Sequence, residues 1–138
     1  MADSTSFLAS WSPRLLSIMR IVFGLLFMLH GSQKLLNYPA GPPEFGFPFP
    51  LFTLPGFAGA LELIGGLLII LGLFTRPVAF ILSGQMAVAY FMGHFTPKAF
   101  WPTQNGGELA VLYCFAFLYL AAAGGGRWSL DYQLRHRS

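Results

Sequence analysis

The chain has 138 residues, of which 55% are hydrophobic and 9% charged, and its mean hydropathy is +0.62. A soluble domain carries about a quarter charged residues, so this chain cannot clothe itself for water, and lipid is the expected solvent for most of it. A net charge of +3 with no basic patch interleaved with aromatics excludes nucleic acid as an expected partner, and a single cysteine, Cys114, excludes an internal disulfide or a CxxC motif.

Residues 1–11 carry Phe7, Leu8 and Trp11 and read as an interfacial lead-in. Ser12-Pro13 predicts a helix start, because serine accepts from an orphan amide and proline is favoured at the first helical position. The first span then covers residues 14–36. At ~1.5 Å per residue it reaches roughly 33 Å, enough to cross a hydrocarbon core of about 30 Å. It is too long, and too polar at its far end, for a cleaved signal peptide, so a retained span is expected.

Residues 37–56 hold Pro39, Pro42, Pro43, Pro48, Pro50 and Pro55 among Phe45, Phe47, Phe49 and Phe52. So much proline forbids a regular helix, and so much phenylalanine argues against a solvated linker. Irregular backbone cannot face lipid at depth, so this loop is expected at the interface, folded over the end of a bundle. Thr53-Leu54-Pro55 predicts the next helix start, and the second span covers residues 55–74 with Gly59, Glu62, Gly65, Gly66 and Gly72. Thr75-Arg76-Pro77 predicts a tight turn with its own cap, opening a third span over 77–95 that carries Gln85, Tyr90 and His94. A second loop, 96–106, leads to a fourth span over 107–123, which Gly124-Gly125-Gly126 ends. Residues 127–138 form a short basic tail with Trp128 and Tyr132 as interface anchors.

The expected fold is therefore a single all-α domain, an integral membrane bundle of four transmembrane helices. Arg14, Arg76, Arg127, Arg135 and Arg137 fall on one side and only Lys34 and Lys98 on the other, which predicts N-in and C-in topology. Arg20 reads as a topology anchor that snorkels to the arginine-rich side.

Every span then brings a protonatable group to its outer third. His30 lies about 9 Å, and Lys34 about 3 Å, before the outer end of the first span, and Glu62 roughly 10 Å into the second. His94 closes the third span and Glu108 opens the fourth. A charge at mid-bilayer costs about 2.5–3.5 kcal/mol, so these groups are expected to turn inward and pair. Arg20, Gly24, Phe27, His30, Gly31 and Lys34 share one helical stripe, and its glycines let a neighbour approach closely. The candidate ligand pocket is His30, Lys34, Glu62, His94 and Glu108, supported by Gln33, Gln85, Tyr90 and Asn105.

Each has a plainer reading. Asn105 three residues before Glu108 fits a capping pattern. Lys34 can snorkel to head groups. His94 can simply face a helix dipole, and Gln85 and Tyr90 can be interhelical glue. Glu62 resists such a reading, being well inside an apolar span with no cap to satisfy. No metal is expected, since no HxxxH or CxxC spacing accompanies the two histidines and two acids.

At these residues the chain resembles the DoxX family of small four-helix membrane proteins. The resemblance is carried by Leu16 to Leu36 with Arg20, Gly24 and the His30-Gly31-x-x-Lys34 ending, and by Glu62-x-x-Gly65-Gly66. It continues through Gly72-Leu73-Phe74-Thr75-Arg76-Pro77, His94, Asn105-x-x-Glu108 and Arg127-Trp128-Ser129-Leu130-Asp131, covering nearly the whole chain. The Phe/Pro-rich outer loop departs from the family pattern. The resemblance implies a multi-pass protein of a bacterial or archaeal inner (plasma) membrane. The family is named for a protein associated with a membrane terminal quinol oxidase, and relatives include subunits of a thiosulfate:quinone oxidoreductase and proteins linked to oxidative stress or detoxification.

The leading expectation is a subunit or accessory of a quinone-linked membrane redox system, part of an oxidoreductase rather than a complete enzyme. Its outer pocket would take a small polar ligand or a quinone head group, with His30 moving protons, Glu62 as partner acid, Lys34 as clamp and the Phe-rich loop as lid. No cofactor is identifiable from the residues themselves. The alternatives are a small proton-coupled transporter or channel-like dimer acting through Glu62, and a structural scaffold whose polar cluster only fixes helix register. Other subunits of a redox complex, or a second copy of the chain, are the expected partners within the bilayer.

Overall fold

Glycines decide which helices approach most closely. In the computed structural model, which describes residues 2–136 with side chains from residue 4, α1 (Ala2–Leu36) lies along α2 (Leu54–Leu71) with glycines at the crossing. A Cβ on Gly31 would sit 2.4 Å from the Leu63 nitrogen and 2.6 Å from the Gly59 oxygen; one on Gly66 would sit 2.7 Å from the Met28 nitrogen. No larger residue fits at either position, and backbone contact replaces side-chain packing there.

The other close pair is α3 (Thr75–Gly93) with α5 (Glu108–Ala123), where Ser83 Oγ donates to the Cys114 carbonyl at 2.7 Å. The two pairs are joined by α2 packing on α3 and by an aromatic layer between α1 and α5. There Phe27 meets Tyr113 and Phe117 with ring centroids 5.2 and 4.9 Å apart, and Phe23 meets Tyr113 edge-on at 5.8 Å. Rings of this size hold α1 and α5 farther apart than the glycines hold α1 and α2, and that spacing leaves room beside the layer.

Apolar side chains also cover the outward faces of all four long helices, including Leu25, Leu67, Phe91 and Leu118. Exposed apolar surface on this scale is foreign to a monomer in water. By length and composition α1 and α2 can cross a membrane. α3 has 19 residues but includes Arg76 and Gln85, while α5 is apolar but has 16.

Several sequence expectations need correction. Ser12-Pro13 does not start the first helix, which runs from Ala2 with Pro13 inside it. Proline removes one donor, and the half-buried Arg14 side chain bonds the neighbouring Ser10 carbonyl there. Thr75 does not cap α3. The Asp131 carboxylate does, accepting from Phe74 N at 2.8 Å and Thr75 N at 2.9 Å. The second loop contains a short helix, α4 (Pro102–Asn105), and the tail another, α6 (Leu130–Arg135). Arg137, counted in the topology argument, lies outside the described residues. Thr53 does cap α2, its side chain accepting from Gly56 N, and Gly124 does end α5.

Arg20 does not snorkel. It is fully buried and grips backbone: Nε donates to Gly125 O at 2.8 Å, Nη1 to Ile69 O and Ile70 O at 2.6 and 2.5 Å, and Nη2 to Trp128 O at 2.7 Å. The guanidinium thus adds donors to the Ile69 and Ile70 carbonyls at the end of α2 and ties down the segment between α5 and α6. Ser17 joins the clamp, accepting from Trp128 N at 3.1 Å. This end of the molecule is closed.

Candidate functional site

The opposite end is open. A cleft of about 920 Å³ lies between the helix pairs, next to the aromatic layer. His30, Gln33, Lys34, Glu62, Gln85 and His94 line it, so six of the nine residues singled out in the sequence share one cavity.

Glu62 is its centre. Position 62 falls on the inner stripe of α2 with Gly59, Gly65 and Gly66, and its side chain is 3% exposed. Lys34, in the last turn of α1, reaches across, with Nζ 2.6 Å from Glu62 Oε1. The lysine side chain is 28% exposed, so the pair joins a buried acid to a partly wetted base. From α3, Gln85 Nε2 donates to Ala58 O at 3.3 Å and lies 3.4 Å from the same Oε1. That leaves Glu62 Oε2 and Gln85 Oε1 buried with no hydrogen-bond partner among the described residues. An unpaired buried polar group costs about 1–3 kcal/mol, and Thr75 Oγ1, which does not line the cleft, is a third such atom. His30 meets the edge of Tyr113 with centroids 6.1 Å apart.

Tyr90 and Asn105 stand behind the wall. Asn105 Nδ2 donates to Tyr90 Oη at 3.1 Å, Tyr90 Oη to Phe100 O at 3.1 Å, and His94 Nδ1 to Asn105 O at 3.2 Å. They pin the second loop to the end of α3. Glu108 does not join the cluster. It is exposed on the first turn of α5 and does not line the cleft, where an acid suits the helix dipole. Nor do Asn105 and Glu108 form a capping box; Asn105 Oδ1 accepts from Gly107 N at 2.8 Å instead. Among the described residues no three His, Cys, Asp or Glu side chains gather as metal ligands would.

The roof is the Phe/Pro-rich loop. Phe49 N donates to Lys34 O at 2.7 Å and Gln33 Nε2 to Pro39 O at 3.0 Å, which fold the loop back over α1. Pro42, Phe45 and Phe47 then cover the cleft, and Phe45, Phe47 and Phe49 pack ring to ring. Tyr113 and Met86, both in the wall, were not singled out from sequence, since an aromatic or a methionine in an apolar run reads as core.

The DoxX family model matches residues 15–95, a stretch that holds Arg20, His30, Lys34, Glu62 and His94. An uncharacterized protein of Haemophilus influenzae is 45% identical over 130 residues, covering 90% of this chain and 93% of the relative. The inner membrane protein YphA of Escherichia coli is 32% identical, covering 86% of this chain and 89% of YphA. CatD of Bacillus subtilis, whose name carries a provisional oxidoreductase assignment, is 29% identical, covering 83% and 82%. No solved structure matches the chain. With the match spanning more than half of its length, and YphA alike over most of its own, this chain is a membrane protein of the DoxX family.

Proposed function

We propose that the protein spans a bacterial inner membrane four times, N-in and C-in, and serves a membrane redox system as a subunit or accessory. In this reading its outward cleft takes a small polar ligand or a quinone head group. The observation that carries it is the 2.6 Å Lys34–Glu62 ion pair, set with His30, Gln33, Gln85 and His94 in the wall of one cleft of about 920 Å³. Apolar outward faces on all four long helices support four spans. Arg76, which bonds the Ala122 carbonyl, and Arg127, next to Trp128, lie at the Arg20 end, while Lys34 lines the cleft, which supports the topology. The redox assignment leans on the name of CatD and is the outermost step of the proposal.

The residues fit a quinone. Lys34 and His30 offer donors, and Phe27, Phe45, Phe47 and Met86 an apolar wall. When bound, a quinone would supply the electron-carrying chemistry; the chain's own part is to hold it, orient it and place protonatable groups beside it. The transport alternative needs a path to both faces. The Phe27–Tyr113–Phe117 layer and the Arg20 clamp stand across that path.

The test is purification from native membranes in mild detergent, with small molecules and co-purifying proteins identified by mass. The proposal expects an amphiphilic or quinone-type molecule that is retained by the wild type and lost in Glu62→Gln, together with a redox-complex partner. Identical molecules in both proteins, and no partner, would refute it.

A further inference from the structure

The helices do not end at one level. Ser17 accepts from Trp128 N and Arg20 donates to two carbonyls at the end of α2, so the closed end of the bundle is level with residues 17–20 of α1. α1 continues past it. Its 35 residues make a rod of about 52 Å, against a hydrocarbon core of about 30 Å. Residues 4–12 are all exposed and stand roughly 12–24 Å beyond Arg20 along the helix axis. Phe7 and Leu8, in this overhang, are 62% and 67% exposed, and Trp11 meets Phe7 and Arg14 of its own helix.

The pattern on the overhang does not stop at the bundle. The buried face of α1 repeats every seven residues at Ser17, Gly24 and Gly31, with Arg20 and Phe27 between them. The reverse face carries a second repeat of the same length. Leu8, Leu15 and Val22 form one set, and Trp11, Ile18 and Leu25 follow each member by three residues. All six are exposed. Steps of three and four residues in alternation are the 3.5-residue period of a coiled-coil seam. Pro13 falls two residues from both Trp11 and Leu15, so it leaves the seam unbroken.

We infer that α1 pairs along this seam with α1 of a second copy of the chain, in parallel, about a two-fold axis normal to the membrane. Lipid tails can cover Ile18 to Leu25, but the overhang carries Phe7 and Leu8 beyond them, where an uncovered apolar stripe is costly. A partner that covers the whole seam must itself cross the membrane and overhang by the same length on the same side. The α1 of a second copy does both at matching height, whereas antiparallel pairing would send the two overhangs to opposite faces. Charge permits it as well. The ionised groups near the seam are Arg14 and Arg20; Arg14 folds over its own Trp11 and bonds Ser10 O, and Arg20 is spent on backbone. No like charges then face each other across the axis. The inference needs only that α1 cross the membrane, and it is independent of any ligand in the cleft.

The experiment is oxidative cross-linking of the full chain in native membranes with copper phenanthroline. A Cys114→Ser background removes the single native thiol. Leu8→Cys, Leu15→Cys and Val22→Cys should each give a disulfide-linked species of twice the chain mass. Their yields should exceed at least fivefold those of Ser6→Cys, on the far side of α1 from Leu8, and of Leu67→Cys, exposed on α2. Leu8→Glu combined with Trp11→Glu lies outside the bundle, so it should keep the unfolding midpoint while cutting the Leu15→Cys yield at least fivefold. Equal yields at Ser6→Cys and Leu8→Cys would reveal chance collision and overturn the seam. A Leu8→Cys product of any other mass, or no product at all, would overturn the second copy as its occupant. Cross-linking at Leu15→Cys that survives the double glutamate variant would overturn the part given to the overhang.

Discussion

Replacing Arg20 by methionine keeps volume and removes the clamp. Four donated bonds to backbone carbonyls disappear, from Gly125, Ile69, Ile70 and Trp128. At about 1.5–3 kcal/mol for each bond to a charged group, the gross loss is roughly 6–12 kcal/mol. Two effects offset it. Methionine no longer carries a buried charge, whose desolvation costs several kcal/mol. Some carbonyls also keep a partner: Ile69 O still receives Gly72 N, and Gly125 O still receives Ser17 Oγ. The net loss expected is about 3–5 kcal/mol. Arg20→Lys keeps the charge without the planar fork and should fall between the two. Unfolding in a series of dodecyl maltoside and SDS mixtures, followed by circular dichroism, measures this, while Trp128 fluorescence in a Trp11→Phe, Trp101→Phe background reports the clamp locally. An Arg20→Met protein within about 1 kcal/mol of wild type would show that the buried guanidinium does not hold the closed end together.

Lys34→Met should destabilise by about 3–5 kcal/mol because it strands the Glu62 charge, whereas Lys34→Met combined with Glu62→Leu should recover most of the loss in the same titration. Gly31→Ala should abolish stable folding or sharply lower it, since the added methyl would meet Leu63 and Gly59 backbone, and yield of monodisperse protein reads this out. Gly84→Ala, with open space at its Cβ, should instead stabilise by up to about 1 kcal/mol through helix propensity. Asp131→Ala should cost about 1–2 kcal/mol by uncapping α3, and Asp131→Asn less. Fusion of alkaline phosphatase to loops 37–53 and 96–101 should give active enzyme, and fusion after Arg135 inactive enzyme; the opposite pattern would invert the proposed topology.

Much of the site was legible because helical spacing is rigid. His30, Lys34 and Glu62 follow from residue counts along two apolar runs, and one face of each run carries the glycines that bring the pair together. What was illegible is what the backbone does at a distance. Arg20 looked like a surface anchor because its partners are carbonyls of residues 69, 70, 125 and 128, and carbonyls have no signature in a sequence. Asp131 caps a helix that starts 56 residues earlier. Glu108 was misplaced for a subtler reason. Its height suited the cluster, but the rotation of α5 is fixed by Tyr113 and Phe117 packing on α1, and that rotation leaves position 108 exposed.

An experimental structure in lipid nanodiscs, at a resolution that shows ligand atoms, tests the central claim most directly. The account predicts non-protein density in the cleft beside the Lys34–Glu62 ion pair. A collapsed cleft, or Glu62 turned away from Lys34 with its second oxygen satisfied by the protein itself, would contradict it.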